Sequence, residues 1–284
     1  MRHYIFDCEV FAHDWLVVAK PVGENQHYCW FHNDNDSLRQ FIEDSGDAIF
    51  FGFNNKHYDN YILQAIMADF TPEHVKQVND YIIGGGEGWQ SPLLKGTRSF
   101  FFNSADLFDD CQVGMSLKAI EAHLGMDIQE TEVDFDLARS LTPSEFDQTL
   151  AYCIHDVDAT EVLYRLRKSY LDNKVQIGAM AGLTEAQALR MTNAKLTAAL
   201  LKAKQVPHND EREYKYPANL KREYIPAEVF EFFDRMHDES LSDEEVFSGK
   251  LNIMIGDCPC VLGYGGIHGA IPNYVKEAND ERES

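Results

Sequence analysis

The run His3-Tyr4-Ile5-Phe6-Asp7-Cys8-Glu9-Val10-Phe11 decides how the rest of the chain is read. It is a short apolar stretch with two carboxylates in its second half. In an extended strand, residues two apart share a face, so Asp7 and Glu9 project together. Two adjacent acids at a strand end repel each other unless a proton or a cation lies between them. The fragment has two readings, a solvated acidic strand end or a divalent-metal site. Other parts of the chain decide between them.

The following segments continue the strand pattern. Trp15–Lys20 reads as a second strand and Gln26–Phe31 as a third, joined by the turn-forming Pro21-Val22-Gly23-Glu24-Asn25. A short helix begins at Asp36-Ser37, with Leu38, Phe41 and Ile42 at helical spacing. Ala48–Phe53 is continuously apolar, as befits a strand buried on both faces. A helix follows Asn54-Asn55 through Tyr58, Tyr61, Ile62, Ala65 and Ile66. Ser99–Ser104 supplies a fifth strand, and Ser116-Leu117-Lys118 opens a helix ending near Gly125. Thr142-Pro143-Ser144-Glu145 is a helix start with Thr as cap, Pro at the first position and Glu at the third. That helix is expected to run to about Tyr170, with Phe146, Leu150, Ile154, Val157 and Leu163 or Leu166 facing inward. Three antiparallel strands, helix, strand, helix, strand and helices is the order of a ribonuclease-H-like α/β fold with a mixed sheet. In that fold the first and fourth strands are neighbours.

Beyond Asp172 the pattern changes. Residues 173–205 look helical, 206–250 are polar and interrupted by Pro207, Pro217 and Pro226, and Leu251–Pro272 reads as strand, loop, strand. Lys276–Ser284 carries charge without an apolar pattern and is expected to fray. The expected division is a first domain over 1–172 and a second, α+β connector over 173–284.

The chain has 284 residues and a formal charge of −22. Proteins that grip long stretches of duplex nucleic acid usually carry an excess of Lys and Arg, so this balance argues against that role. The charge is uneven, however. From Arg165 to Arg222 there are twelve Lys/Arg against five Asp/Glu, a local +7 that leaves −29 for the remainder. Acidic surroundings suit cation capture, and the basic segment suits a phosphate backbone. No apolar run approaches the ~20 residues of a membrane-spanning helix. The six cysteines form no CxxC pair and read as free thiols of a reducing cytosol.

Three further motifs join Asp7-x-Glu9. They are Asn54-x-x-x-Tyr58-Asp59, Tyr152-x-x-x-Asp156, and between them Ser116-Leu117-Lys118 leading to Leu124-Gly125. A spacing of four places the Tyr152 phenol and the Asp156 carboxylate on one helix face. In this order, the acidic motifs resemble the 3′→5′ exonuclease domains of the DEDD superfamily. Tyr152 places the resemblance in the tyrosine branch, because the histidine branch has His where this chain has Ala151. The residue types suit phosphodiester hydrolysis, in which two divalent cations about 3.5–4 Å apart provide a nucleophile from water and a place for charge on the leaving oxygen.

The resemblance implies two Mg²⁺ or Mn²⁺ ions, with Asp7 bridging both, Glu9 and Asp156 holding one, and Asp59 supporting the other. It implies that Tyr152 orients the attacking water, Asn54 contacts the terminal nucleotide, and Lys118 contacts the scissile phosphate. Phe11 and Tyr58 would pack on the 3′ base or sugar, or else belong to the core. Asp106 and Asp158 read as structural or solvated. Tyr264-Gly265-Gly266-Ile267-His268-Gly269 is similar to the YxGG region that joins exonuclease to polymerase in phage-type family B DNA polymerases. No palm motif follows it.

The resemblance therefore implies a proofreading exonuclease acting on single-stranded or frayed DNA 3′ ends, either a truncated polymerase or one part of a split polymerase with a separate polymerase subunit. It further implies a bacterial host cytoplasm if the chain is phage-encoded. The alternatives are a self-standing DNA or RNA exonuclease and a scaffold subunit with weak nuclease activity.

Overall fold

The computed structural model describes residues 2–25, 27–97, 102–109, 111, 115–204, 215–264 and 266–269. They fall in two compact units, Met1–Lys204 and Gln205–Ser284.

The first unit is built on a five-stranded sheet in the order β3-β2-β1-β4-β5. Its strands are β1 (His3–Val10), β2 (Trp15–Pro21), β3 (Cys29–His32), β4 (Ile49–Gly52) and β5 (Ser104–Asp106). The β1–β2 and β2–β3 pairs are antiparallel, whereas β1–β4 and β4–β5 are parallel. This is the α/β, ribonuclease-H-like mixed sheet expected from the order of elements, with the first and fourth strands side by side. The third strand begins at Cys29, later than expected. Half of the anticipated Ser99–Ser104 strand lies outside the described residues, and of the other half only Ser104 belongs to β5.

Strand alternation puts a separate core on each face. On one face Tyr4, Phe6, Cys8 and Val10 pack with residues of α1 (Asn35–Asp44), α2 (Asp59–Met67) and α3 (Pro72–Ile83). On the other, Ile5, Val18, Ile49 and Phe51 meet Cys153, Val157 and Tyr164 of α5 (Pro143–Leu166). Asp7 and Glu9 are in phase with Ile5, so the same alternation turns them toward α5. The α3 helix lies outside the expectations above, although Thr71-Pro72-Glu73 opens it with the same residue types as Thr142-Pro143 and Glu145 open α5.

The position of α5 is over-determined. The Thr142 hydroxyl accepts from the Glu145 backbone N–H, and the Glu145 carboxylate accepts from the Thr142 N–H at 2.8 Å, forming a capping box. Buried Asp14, in the β1–β2 turn, accepts from the Leu141 N–H at 2.9 Å and pairs with His32 at 2.7 Å. Further along, buried Lys20 of β2 reaches Asp158 at 2.6 Å and Glu161 at 2.7 Å. Asp158 also accepts from the Tyr28 hydroxyl, which gives it the structural role expected.

The helix ends at Leu166, short of the expected Tyr170, because the backbone breaks at Arg167. The Arg167 guanidinium donates to the carbonyls of Leu107 and Asp109. The helices α6 (Lys168–Met180), α7 (Glu185–Arg190) and α8 (Asn193–Leu200) follow within the same unit. His3 hydrogen-bonds Tyr164 at 2.7 Å and Glu185 at 2.9 Å, tying α7 to the first strand. The compact unit consequently runs past residue 172, where the composition changes. Between β5 and α5 lies α4 (Leu117–Leu124), capped by Ser116 and ended by Gly125 at φ +67°, a backbone region that favours glycine.

The second unit contains α9 (Ala227–Asp234), α10 (Asp243–Phe247) and an antiparallel sheet of β6 (Leu251–Ile255), β7 (Cys258–Gly263) and β8 (Gly266–Gly269). It has three strands where two were expected, because the stretch before Gly263 turns back on itself at Gly256, at φ +57°, and divides into β6 and β7. Tyr264 stacks on Phe232 with ring centroids 5.1 Å apart, and its hydroxyl donates to the Phe232 carbonyl at 3.0 Å. Gly265, Ala270–Pro272 and Lys276–Ser284 lie outside the described residues.

Two substitutions test the anchoring of α5. Thr142→Ala should cost about 1 kcal/mol of unfolding free energy, as loss of a helix cap does. Lys20→Met takes one partner from the buried Glu161 carboxylate, which keeps Arg165, and should cost about 2 kcal/mol. Chemical denaturation measures both, and a Lys20→Met variant as stable as wild type would contradict the buried pairing.

Candidate metal centre

Three segments distant in sequence bring their acids to one place. β1 contributes Asp7 and Glu9, the first residue of α2 contributes Asp59, and the middle of α5 contributes Asp156. Glu9, Asp59 and Asp156 are buried, and Asp7 is partly exposed. The turn before Asp59 is shaped by close backbone approach. A Cβ at Gly52 would stand 2.7 Å from Cβ of Asn55, so only glycine fits as β4 ends. Asn54 then adopts φ +61°, which asparagine tolerates better than most residues. The Asp106 carboxylate holds this turn by accepting from the backbone N–H groups of Asn54 at 2.8 Å, Lys56 at 3.0 Å and Phe108 at 2.9 Å. Asp106 is thus structural, as expected. The Asp59 carboxylate accepts from the Cys8 N–H at 3.1 Å, which fixes α2 against the strand carrying Asp7 and Glu9.

The electrostatics are those of a site with more negative than positive charge. Burial pushes the Asp7 carboxyl well above the usual range, and the negative charges of Asp59, Glu9 and Asp156 push it further. Glu9 is raised by burial and by Asp156 and Asp59, with Lys118 opposing. Burial lifts Asp59 to about 7. The Tyr152 phenol is pushed far above its ordinary value, first by burial and then by the charges of Asp156 and Glu9, so it stays protonated. Lys118 of α4 is the nearby cation. Its ammonium contacts the Asp156 carboxylate and lies 4.9 Å from the centroid of the Tyr152 ring.

A divalent cation would relieve the crowding of these acids, and the residues fit one. Single ligand atoms of Asp7, Glu9 and Cys153 lie within 4.8 Å of one another. Burial and the surrounding carboxylates raise the Cys153 thiol, so it stays neutral and approaches Asp7 Oδ2 at 3.7 Å as a weak donor. The donors available as anions are therefore oxygens, the set that hard dications prefer.

The expected site residues divide accordingly. Asp7, Glu9, Asp59, Asp156, Tyr152 and Lys118 are brought together. Asn54 is partly exposed beside them, while neighbouring Asn55 is buried and donates to Asn60 at 3.1 Å. Tyr58 is partly buried against the first core, with its hydroxyl donating to Asn79 at 2.6 Å. Phe11 is fully buried, its ring stacked on exposed Phe135 at 4.9 Å between centroids. It therefore has the core position that was one of its two readings. Sequence reasoning missed Cys153, although it lies three residues before Asp156 and so on nearly the same helix face.

No family model and no curated protein matches the chain. Among solved structures, the chain is similar to a family B DNA polymerase from the hyperthermophilic archaeon Pyrobaculum calidifontis. The identity is 15% and the TM-score 0.44, over 71% of this chain and 28% of that one. It is also similar to Phi29 DNA polymerase complexed with primer-template DNA, at 11% identity and a TM-score of 0.37, over 63% of this chain and 35% of that one. At such identities the fold assignment rests on the strand order and pairing described above. Among the described residues, no helix is long and apolar enough to cross a membrane.

Repulsion among the acids makes stability a readout of cation binding. Mg²⁺ at a hundredfold excess over its dissociation constant should stabilise the wild type by about 2.7 kcal/mol. In EDTA, Asp7→Asn should melt higher than the wild type because one repelling charge is gone, and it should respond little to Mg²⁺. Thermal melts unaffected by the metal and by the substitution would remove the cation reading.

Proposed function

We propose that this chain is a metal-dependent 3′→5′ exonuclease, the proofreading part of a phage-type DNA polymerase, which releases nucleoside 5′-monophosphates from single-stranded or frayed DNA 3′ ends. The observation that carries this reading is the convergence of Asp7, Glu9, Asp59 and Asp156 around a protonated Tyr152. Residues 1–172 would supply the nuclease site, and 173–284 the connector to a polymerase part. Two Mg²⁺ or Mn²⁺ ions held by the four carboxylates would, when bound, supply a nucleophile from water and stabilise charge on the leaving oxygen.

The side chains then have distinct tasks. The Tyr152 hydroxyl, kept neutral by burial and by the acids around it, can donate to or accept from the attacking water and set its direction. The water oxygen forms a bond to phosphorus and gives up a proton to solvent, the bond from phosphorus to the 3′-oxygen breaks, and that oxygen takes up a proton from solvent. Lys118 would transfer its ammonium from Asp156 to the scissile phosphate when the carboxylate engages a cation. Asn54, partly exposed at its turn, would contact the terminal nucleotide. Tyr58 and Phe11 would support that surface from below, Tyr58 through its bond to Asn79.

Mg²⁺- or Mn²⁺-dependent shortening of a 5′-labelled single-stranded oligonucleotide tests this. Asp7→Ala and Asp156→Ala should each lose about a thousandfold, equivalent to ~4 kcal/mol of barrier lowering. Tyr152→Phe should lose about a hundredfold. Equal activity in wild type and Asp7→Ala would sink the assignment. Matched DNA and RNA substrates extend the test, and faster cleavage of RNA would favour a self-standing ribonuclease.

A further inference from the structure

Next to Asp156 of the proposed nuclease site lie two ligating side chains, Glu121 and His155, that the reaction above does not use. Glu121 of α4 is only 1% exposed, yet neither of its carboxylate oxygens has a hydrogen-bond partner among the described residues. His155 Nε2 is also buried and without a hydrogen bond among the described residues, and lies 3.4 Å from Glu121 Oε1. Lys118 Nζ is 3.6 Å from Glu121 Oε2, too long for a hydrogen bond, and its ammonium is engaged by Asp156. One ligand atom from each of Glu121, His155 and Asp156 lies within 4.8 Å of the others. A buried polar atom without a partner costs about 1–3 kcal/mol, and more when charged. A buried carboxylate and imidazole that approach each other without a hydrogen bond among the described residues are donors that one cation would satisfy together.

We infer that Glu121, His155 and Asp156 form an additional cation site, which takes a transition-metal dication such as Mn²⁺ or Zn²⁺ in preference to Mg²⁺. The preference follows from the donors. Mg²⁺ demands oxygen ligands and retains its waters, whereas an imidazole nitrogen beside two carboxylates suits softer dications. Metal–ligand bonds of about 2.1 Å are compatible with the 3.4 Å gap between Glu121 and His155, since adjacent ligands of one ion stand roughly that far apart. Entry requires the Lys118 ammonium to move off Asp156, and the Lys118 side chain is about a quarter exposed, which leaves it that freedom. Because Asp156 is shared, occupation of this site would adjust the position of a carboxylate in the neighbouring acid cluster. The site stands on its own donors, whether or not the chain cleaves DNA.

Mn²⁺ binding followed by electron paramagnetic resonance, in a large excess of Mg²⁺ and without nucleic acid, tests the inference. The Mg²⁺ occupies oxygen-only positions, so the Mn²⁺ that remains bound reports the mixed site. The wild type and Asp7→Ala should both retain bound Mn²⁺ under these conditions, with nitrogen coupling from an imidazole in the pulsed spectrum. Glu121→Gln should weaken the binding at least about tenfold. His155→Asn should do the same and abolish the nitrogen coupling, which keeps the test available if Glu121→Gln does not fold. Absence of bound Mn²⁺ in the wild type, or wild-type binding in both Glu121→Gln and His155→Asn, would overturn the site. Loss of nuclease activity alone bears on the proposed function and leaves this measurement unaffected.

Discussion

Repulsion among Asp7, Glu9, Asp59 and Asp156 is the constraint on which the rest of the first unit depends. Four carboxylates partly or wholly removed from water destabilise any arrangement that gathers them, so the surrounding structure must hold each one in place. The parallel β1–β4 pairing brings the end of β4, and with it the start of α2, beside the strand bearing Asp7 and Glu9. The Cys8 backbone N–H then secures Asp59. From the other side, Asp14, Lys20 and the Thr142–Glu145 box fix the helix that carries Asp156. These anchors lie outside the acid cluster, and their favourable interactions offset the repulsion within it.

The two faces of β1 divide the labour. Tyr4, Phe6, Cys8 and Val10 bury apolar surface against α1–α3, which supplies the hydrophobic stabilisation. Ile5 does the same on the opposite face, but the next two positions of that face are given to Asp7 and Glu9. A strand with one purely apolar face can carry charge on the other without losing its place in the sheet. A one-residue slip of register would bury both acids among the aromatic rings of the first core, so the chemistry and the register specify each other.

Lys118 joins the acid cluster to the Glu121–His155 pair. Its ammonium lies against Asp156, near the Tyr152 ring and within ion-pair distance of Glu121. A single cation among this many anionic groups can satisfy only some of them. Binding of a metal to Asp156 would release Lys118 toward another partner, and this couples the two groups through one side chain. Cys8 and Cys153 sit within the same region as neutral thiols, because burial and the surrounding negative charge both oppose thiolate formation.

Much of this was legible in the order of residues. Strand alternation determined that Asp7 and Glu9 share a face, helical spacing determined that Tyr152 and Asp156 share another, and the Thr142-Pro143-Glu145 pattern located the start of α5. Those are local properties, set by backbone periodicity and by hydrogen bonds between near neighbours. Tertiary structure alone decided what meets across the chain. The anchoring of the Arg167 side chain, where α5 ends, uses carbonyls of Leu107 and Asp109, and the hold on Asp59 depends on a strand amide far away in sequence. The burial of Phe11 depends on Phe135 stacking over it. The burial of Glu121 and its approach to His155 likewise exist only once α4 packs on α5. Neither residue stands out in the sequence, because a lone Glu and a lone His acquire their meaning from desolvation and from each other.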